Sequence, residues 1–179
     1  KSPLGKVPAL ETAEGYISES RAILDYIERA YPQHSLLPDT PFGVAKVQEL
    51  SQFIELYFEL VARRLIPNLL LGTEPDPVVL KEVENSFNKA VVALTKLSNF
   101  EQFAYGDQFT LADIAAILNL PIVRNVGIKF LGRDPLSEVP GLDAYCARME
   151  ERPQVKKVRT DSVTDRPGFM THLKALYGV

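Results

Sequence analysis

The sequence predicts an α+β fragment followed by an all-α domain, and three observations predict it. Two short apolar stretches joined by a glycine-bearing turn open the chain. A proline-rich, polar stretch from Pro32 to Pro41 then divides it. Beyond that divide, apolar residues recur at helical spacing almost to the C-terminus. The 179 residues suffice for one full domain, or for one domain with part of another.

Val7-Pro8-Ala9-Leu10-Glu11 and Tyr16-Ile17-Ser18 read as two short strands, with Thr12-Ala13-Glu14-Gly15 as the hairpin return. From Glu19 to Tyr31, Ala22, Ile23, Tyr26, Ile27 and Ala30 trace the stripe of an amphipathic helix, which Pro32 stops. Pro32 to Pro41 is a linker. A long helix is expected from about Phe42 to Leu70, kinked or ended by Pro67. Val47, Leu50, Ile54, Tyr57, Phe58 and Val61 form one broad face, and Phe53, Leu56 and Leu60 widen it until the helix is apolar nearly all round. Such a helix is buried on several sides, by its own domain and by a partner subunit.

A second long helix is expected over Asp76 to Asn99, with Leu80, Val83, Phe87, Ala90, Val91, Leu94 and Leu97 in register and a proline in its first turn. In Phe109-Thr110-Leu111-Ala112-Asp113-Ile114, Thr110 and Asp113 have the offset of a capping box. Phe109 and Ile114 take the positions of a hydrophobic staple. The helix that follows runs toward Val126 with an interruption at Pro121. Three shorter helices are expected at Gly141 to Glu150, Pro153 to Arg159 and Gly168 to Tyr177.

Composition removes several classes of function. With 46% hydrophobic residues and 20 Lys+Arg against 23 Asp+Glu, a formal charge of −3, the chain is neither disordered nor built with the basic surplus of a nucleic-acid binder. One cysteine, Cys146, excludes a disulfide framework, and with two histidines it leaves no ligand set for a structural zinc. Apolar runs such as Leu69-Leu70-Leu71 fall far short of a membrane span. The opening Lys1-Ser2-Pro3 has no initiator methionine, signal core or transit pattern, so residue 1 reads as a boundary and a cytoplasmic protein is the default expectation.

Two features could carry chemistry. Val7-Pro8 is either an ordinary strand-opening proline or a cis bond that turns the Val7 backbone outward toward an extended peptide ligand. Ser18-Glu19-Ser20-Arg21 is either simple N-capping or an anion site. In the second reading the helix N–H groups and the Ser20 hydroxyl hold a carboxylate, and Glu19 takes the neighbouring ammonium of an α-amino acid end. The remaining features have structural readings. The Thr110–Asp113 pair starts a core helix, His34 and His172 are surface residues, Cys146 is a buried inert thiol, and Phe53 and Tyr57 are core or ligand contacts.

Ser2-Pro3-Leu4-Gly5-Lys6-Val7-Pro8-Ala9-Leu10, Glu19-Ser20-Arg21-Ala22-Ile23, Gly106-Asp107 and Phe109-Thr110-Leu111-Ala112-Asp113 together resemble the cytosolic glutathione S-transferases, most of all the bacterial and theta-like members. The resemblance implies the C-terminal part of a thioredoxin-like domain at residues 1–33, a linker at 34–41 and an all-helical domain at 42–179. It implies that Val7, beside Pro8, pairs through its backbone with the cysteinyl part of glutathione. Glu19 and Ser20 would hold the γ-glutamyl group with help from Arg21, and Lys6 would meet the glycyl carboxylate. Phe53, Tyr57, Leu60 and Arg64 would border the acceptor substrate. The implied activity is conjugation of the glutathione thiolate to a small electrophile, with a detoxification role. Glutathione would be a co-substrate, no cofactor or metal would be held permanently, and the chain would form a homodimer without nucleic-acid or membrane partners. The thiol-activating Tyr, Ser or Cys of the family lies in a strand-helix-strand unit that would precede Lys1, so upstream residues are expected in the natural protein. A glutathione-dependent reductase, dehalogenase or isomerase, or a non-catalytic binding or assembly module, are the alternatives.

Overall fold

The computed structural model describes residues 1–177. Strands β1 (Ala9–Thr12) and β2 (Gly15–Ser18) pair antiparallel, Ala9 opposite Ser18 and Thr12 opposite Gly15. Pro8 has no N–H to give to a ladder, and pairing begins at Ala9, two residues later than the sequence suggests. The return is tight because the Thr12 hydroxyl accepts from the N–H groups of Glu14 and Gly15, and Gly15 takes φ 144°, open to a residue without Cβ.

Helix α1 (Ser20–Ala30) follows directly and buries Ile23. Pro32 ends it and starts a short 3-10 turn, Pro32–His34. The Glu28 carboxylate on α1 accepts from the Ser35 hydroxyl at 2.8 Å and from the Leu36 N–H at 3.0 Å. The Leu36 carbonyl accepts from the Leu111 N–H at 3.1 Å. The hairpin unit is thereby tied through the linker to the helical domain.

That domain comprises α2 (Pro41–Ile54), a π-helical turn (Glu55–Glu59), α3 (Leu60–Ala62), α4 (Ile66–Leu71), α5 (Pro77–Leu97), α6 (Leu111–Leu131), α7 (Leu142–Glu150) and α8 (Pro153–Tyr177). The fold is a thioredoxin-like fragment plus a helical domain, as the sequence predicts. Three details differ. The expected break at Pro67 falls earlier, between α3 and α4. Pro67 instead occupies the first turn of α4, where its missing N–H needs no partner. Pro121 does not interrupt α6. A proline orphans the carbonyl four residues back, here that of Ile117, and the Arg159 guanidinium donates to it at 3.0 Å. The two helices expected over 153–159 and 168–177 form the single α8 with Pro167 inside it.

By length and composition alone α6 could cross a membrane, but it packs at the centre of the bundle with Ala112, Leu120, Val123 and Val126 buried. Around it lie Leu50, Ile54 and Phe58, then Phe87 and Leu94 from α5, then Leu142 and Tyr145 from α7. At Gly127, inside α6, a Cβ would overlap the Pro135 ring and come within 2.9 Å of the Arg133 carbonyl oxygen. Alanine there gains helix propensity, yet overpacking against a ring and a backbone carbonyl outweighs it. Gly127→Ala is expected to lose about 1–3 kcal/mol in urea denaturation, and a stabilised variant would refute the crowding.

Candidate functional site

The loop before β1, the end of β2 and the mouth of α1 converge on one cavity of ≈ 350 Å³. Lys6, Val7 and Pro8 form one side, with Ser2 and Leu4 beside them, and Ser18, Glu19 and Ser20 form another. The Val7–Pro8 bond is cis and Val7 is 91% exposed, its backbone outside the β1–β2 ladder.

The mouth of α1 is chemically open. Glu19 occupies the cap position and its carbonyl accepts from the Ile23 N–H, but its side chain makes no capping hydrogen bond, so side-chain N-capping does not describe this segment. Glu19 also holds φ 72°, ψ 118°, outside the ordinary regions for a side-chain-bearing residue. Such strain clusters at ligand sites, where a backbone must be aimed. Free N–H groups, the positive helix end and the Ser20 hydroxyl can together hold an anion.

The helical domain supplies a third wall, made by Glu59, Leu60 and Arg63. Of the four acceptor-side residues suggested by sequence, only Leu60 lines this cavity. Phe53 and Tyr57 flank a separate groove between α2 and α5, their rings 5.0 Å apart, and Arg64 turns to α5 to pair with Glu82 at 2.6 Å. The π turn accounts for the difference. Regular α-helical spacing puts residues 53, 57, 60 and 64 on one face, whereas a π turn holds more residues per turn. Tyr57, inside the turn, stays beside Phe53, whereas Glu59, Leu60 and Arg63, at its end and beyond it, face the cavity. Arg21 does not line the cavity either. Its charge acts on Glu55, whose carboxyl burial pushes up and Arg21 pulls back down.

At the base of the helical domain, Thr110 and Asp113 form the reciprocal capping box of α6. Phe109 and Ile114 pack against the core and border the same apolar cavity near α8. Asp113 is fully buried and does more than cap: it accepts from the N–H groups of Ala104 (2.8 Å) and Thr110 (2.7 Å) and from the Tyr145 hydroxyl (3.0 Å). Burial pushes the Asp113 carboxyl and the Tyr145 hydroxyl up from their ordinary values. Cys146 is half-buried and not the buried thiol expected from sequence, and burial pushes its thiol up, which disfavours the thiolate. His34 and His172 are exposed. Among the described residues no group of three or more His, Cys, Asp or Glu could hold a metal ion.

Comparison with known proteins gives this geometry its context. The family model for the glutathione S-transferase N-terminal domain matches residues 1–35, and that for the glutathione S-transferase C-terminal domain matches residues 46–153. The chain belongs to the glutathione S-transferase family. A glutathione S-transferase of Pseudomonas putida is 35% identical to it over 174 residues, which cover 97% of this chain and 79% of the relative. Elongation factor 1-gamma 3 of Oryza sativa subsp. japonica is 31% identical over 89% of this chain but only 38% of its own length. In fold, glutathione S-transferase 1-6 of Anopheles dirus species B superposes with a TM-score of 0.74 at 20% identity, over 95% of this chain and 78% of that one.

Within this glutathione S-transferase scaffold, sequence reasoning missed Glu59, Arg63 and the Glu28 tie. Glu59 and Arg63 had a signal, an i,i+4 acid–base pair, but such pairs ordinarily sit on solvated faces. Glu28 had none, because its partners, the Ser35 hydroxyl and the Leu36 N–H, lie seven and eight residues on, outside helical spacing.

Proposed function

We propose that this protein binds glutathione in the cavity between Lys6 and Ser20 and serves a glutathione transferase reaction on a small electrophile. The observation that carries this reading is the convergence of an exposed Val7 backbone and an uncapped α1 mouth on one cavity. The α1 N–H groups and the Ser20 hydroxyl take the γ-glutamyl carboxylate, and Glu19 takes its ammonium. The Val7 backbone pairs with the cysteinyl residue, and the Lys6 ammonium takes the glycyl carboxylate. A thiol held near hydrogen-bond donors and a positive helix end ionises more readily, giving its proton to solvent. The thiolate sulfur then bonds to the electrophilic carbon. Either a leaving group departs with its electron pair, or the adduct takes up a proton.

Replacing Ser20 by alanine is expected to weaken glutathione binding by about 1–3 kcal/mol, on the order of 10-fold or more in Kd, read by calorimetric titration. Unchanged affinity would remove the anion site from the reading. A second copy of the chain is the partner we assign to the groove of Phe53 and Tyr57, where Leu56 and Tyr57 are half exposed. A cytoplasmic location and a detoxification role fit a small-molecule transferase of this composition.

A further inference from the structure

We propose that Arg63 makes the third wall of the cavity selective for electrophiles that carry a carboxylate on an otherwise apolar body, an inference that rests on the glutathione reading above. Two cations line the cavity, Lys6 and Arg63. In that reading Lys6 and the α1 mouth take the two carboxylates of glutathione and Glu19 takes its ammonium; Glu59 is paired with Arg63, which leaves Arg63 as the one cation of the lining for the acceptor.

The geometry of Arg63 suits the task. Its Nε and Nη2 both donate to a single oxygen, Glu59 Oε1, at 2.9 and 2.5 Å. Two of the five guanidinium N–H donors are thereby engaged, and three remain for a ligand. The pair is anchored at its acidic end: the Glu59 side chain is 13% exposed and that of Arg63 is 60% exposed. Glu59 thus holds a long side chain in one orientation before any ligand arrives, which lowers the ordering cost of binding. The guanidinium fork matches the two oxygens of a carboxylate, and such charge-assisted contacts are roughly twice as strong as neutral ones. Leu60, on the same wall, and Leu4, across the cavity, offer the apolar surface for the rest of the molecule. The π turn is what delivers this wall, and π turns recur at functional sites.

The test compares two nearly isosteric ligands, S-(carboxymethyl)glutathione and S-(carbamoylmethyl)glutathione, which differ by one carboxylate. In calorimetric titrations of the full chain the carboxymethyl conjugate should bind roughly 10-fold more tightly. Arg63→Gln should bring that ratio below about twofold, and Arg63→Lys, which keeps a point charge without the fork, should retain part of it. Equal binding of the two conjugates, or a preference that survives Arg63→Gln, would overturn the role of Arg63 and leave the glutathione reading standing. If neither conjugate nor glutathione binds, both are overturned together.

Discussion

Replacing Asp113 with alanine is expected to lower the free energy of unfolding by about 3–5 kcal/mol, because it strands several buried donors at once. The Ala104 and Thr110 N–H groups and the Tyr145 hydroxyl all end on this carboxylate, in a place water does not reach. Asp113→Asn is expected to lose less, about 2 kcal/mol. Its amide oxygen can still serve Ala104 and Tyr145, but its NH2 must face the Thr110 N–H, donor against donor. Urea denaturation of the two variants orders them, and a loss under about 1 kcal/mol for Asp113→Ala would show that the network is dispensable. The linkage has a definite sign. Burial raises the folded-state pKa of Asp113, so its protonation favours the fold at low pH, and that contribution is lost as pH rises through the raised value. At neutral pH the value of Asp113 therefore lies in the donors it satisfies and not in its charge.

This network also bears on the site. The box that Asp113 closes begins α6 at Leu111, whose N–H holds the Leu36 carbonyl of the linker. Leu36 in turn holds Glu28 on α1. The position of the α1 mouth relative to the helical wall thus depends on a chain of contacts that starts at Asp113.

How much of this was legible in the sequence depends on the range of the interaction. The capping box could be read because its partners are three residues apart and its chemistry is local. The hairpin, the α1 stripe and the linker were legible for the same reason. The Tyr145 hydroxyl on Asp113 lies 32 residues away and left no trace in spacing. Pro121 reads as an interruption in the sequence, and only the fold shows Arg159, 42 residues beyond Ile117, supplying a donor for the carbonyl that the proline orphans. At the candidate site, the segments containing Val7-Pro8 and Glu19-Ser20 could be singled out from residue types alone. The helical wall could not, because its facing depends on a π turn that periodicity at 3.6 residues treats as regular helix.

That dependence gives the second large prediction. Phe58 lies within the π turn, fully buried, with its ring edge-on to Phe53 at 6.0 Å and stacked on Phe87 of α5 at 6.2 Å. Truncation to alanine should cost about 3–5 kcal/mol, a fall in Tm of roughly 10 °C for a chain of this size. Phe87→Ala removes the same stack from the α5 side and should cost a similar amount, since Phe87 is equally buried. The two variants should part company at the cavity. Phe58 is followed directly by Glu59 and Leu60, so its loss frees the π turn to relax toward regular helix and swings the wall that carries Arg63. Phe87 adjoins no residue of that wall in the chain. Calorimetric titration at a temperature where both variants are folded should therefore show weakened selectivity between the charged and neutral conjugates for Phe58→Ala and retained selectivity for Phe87→Ala. Equal behaviour of the two would mean that the π turn is a passive consequence of packing, because the ring stack alone would then account for everything Phe58 does.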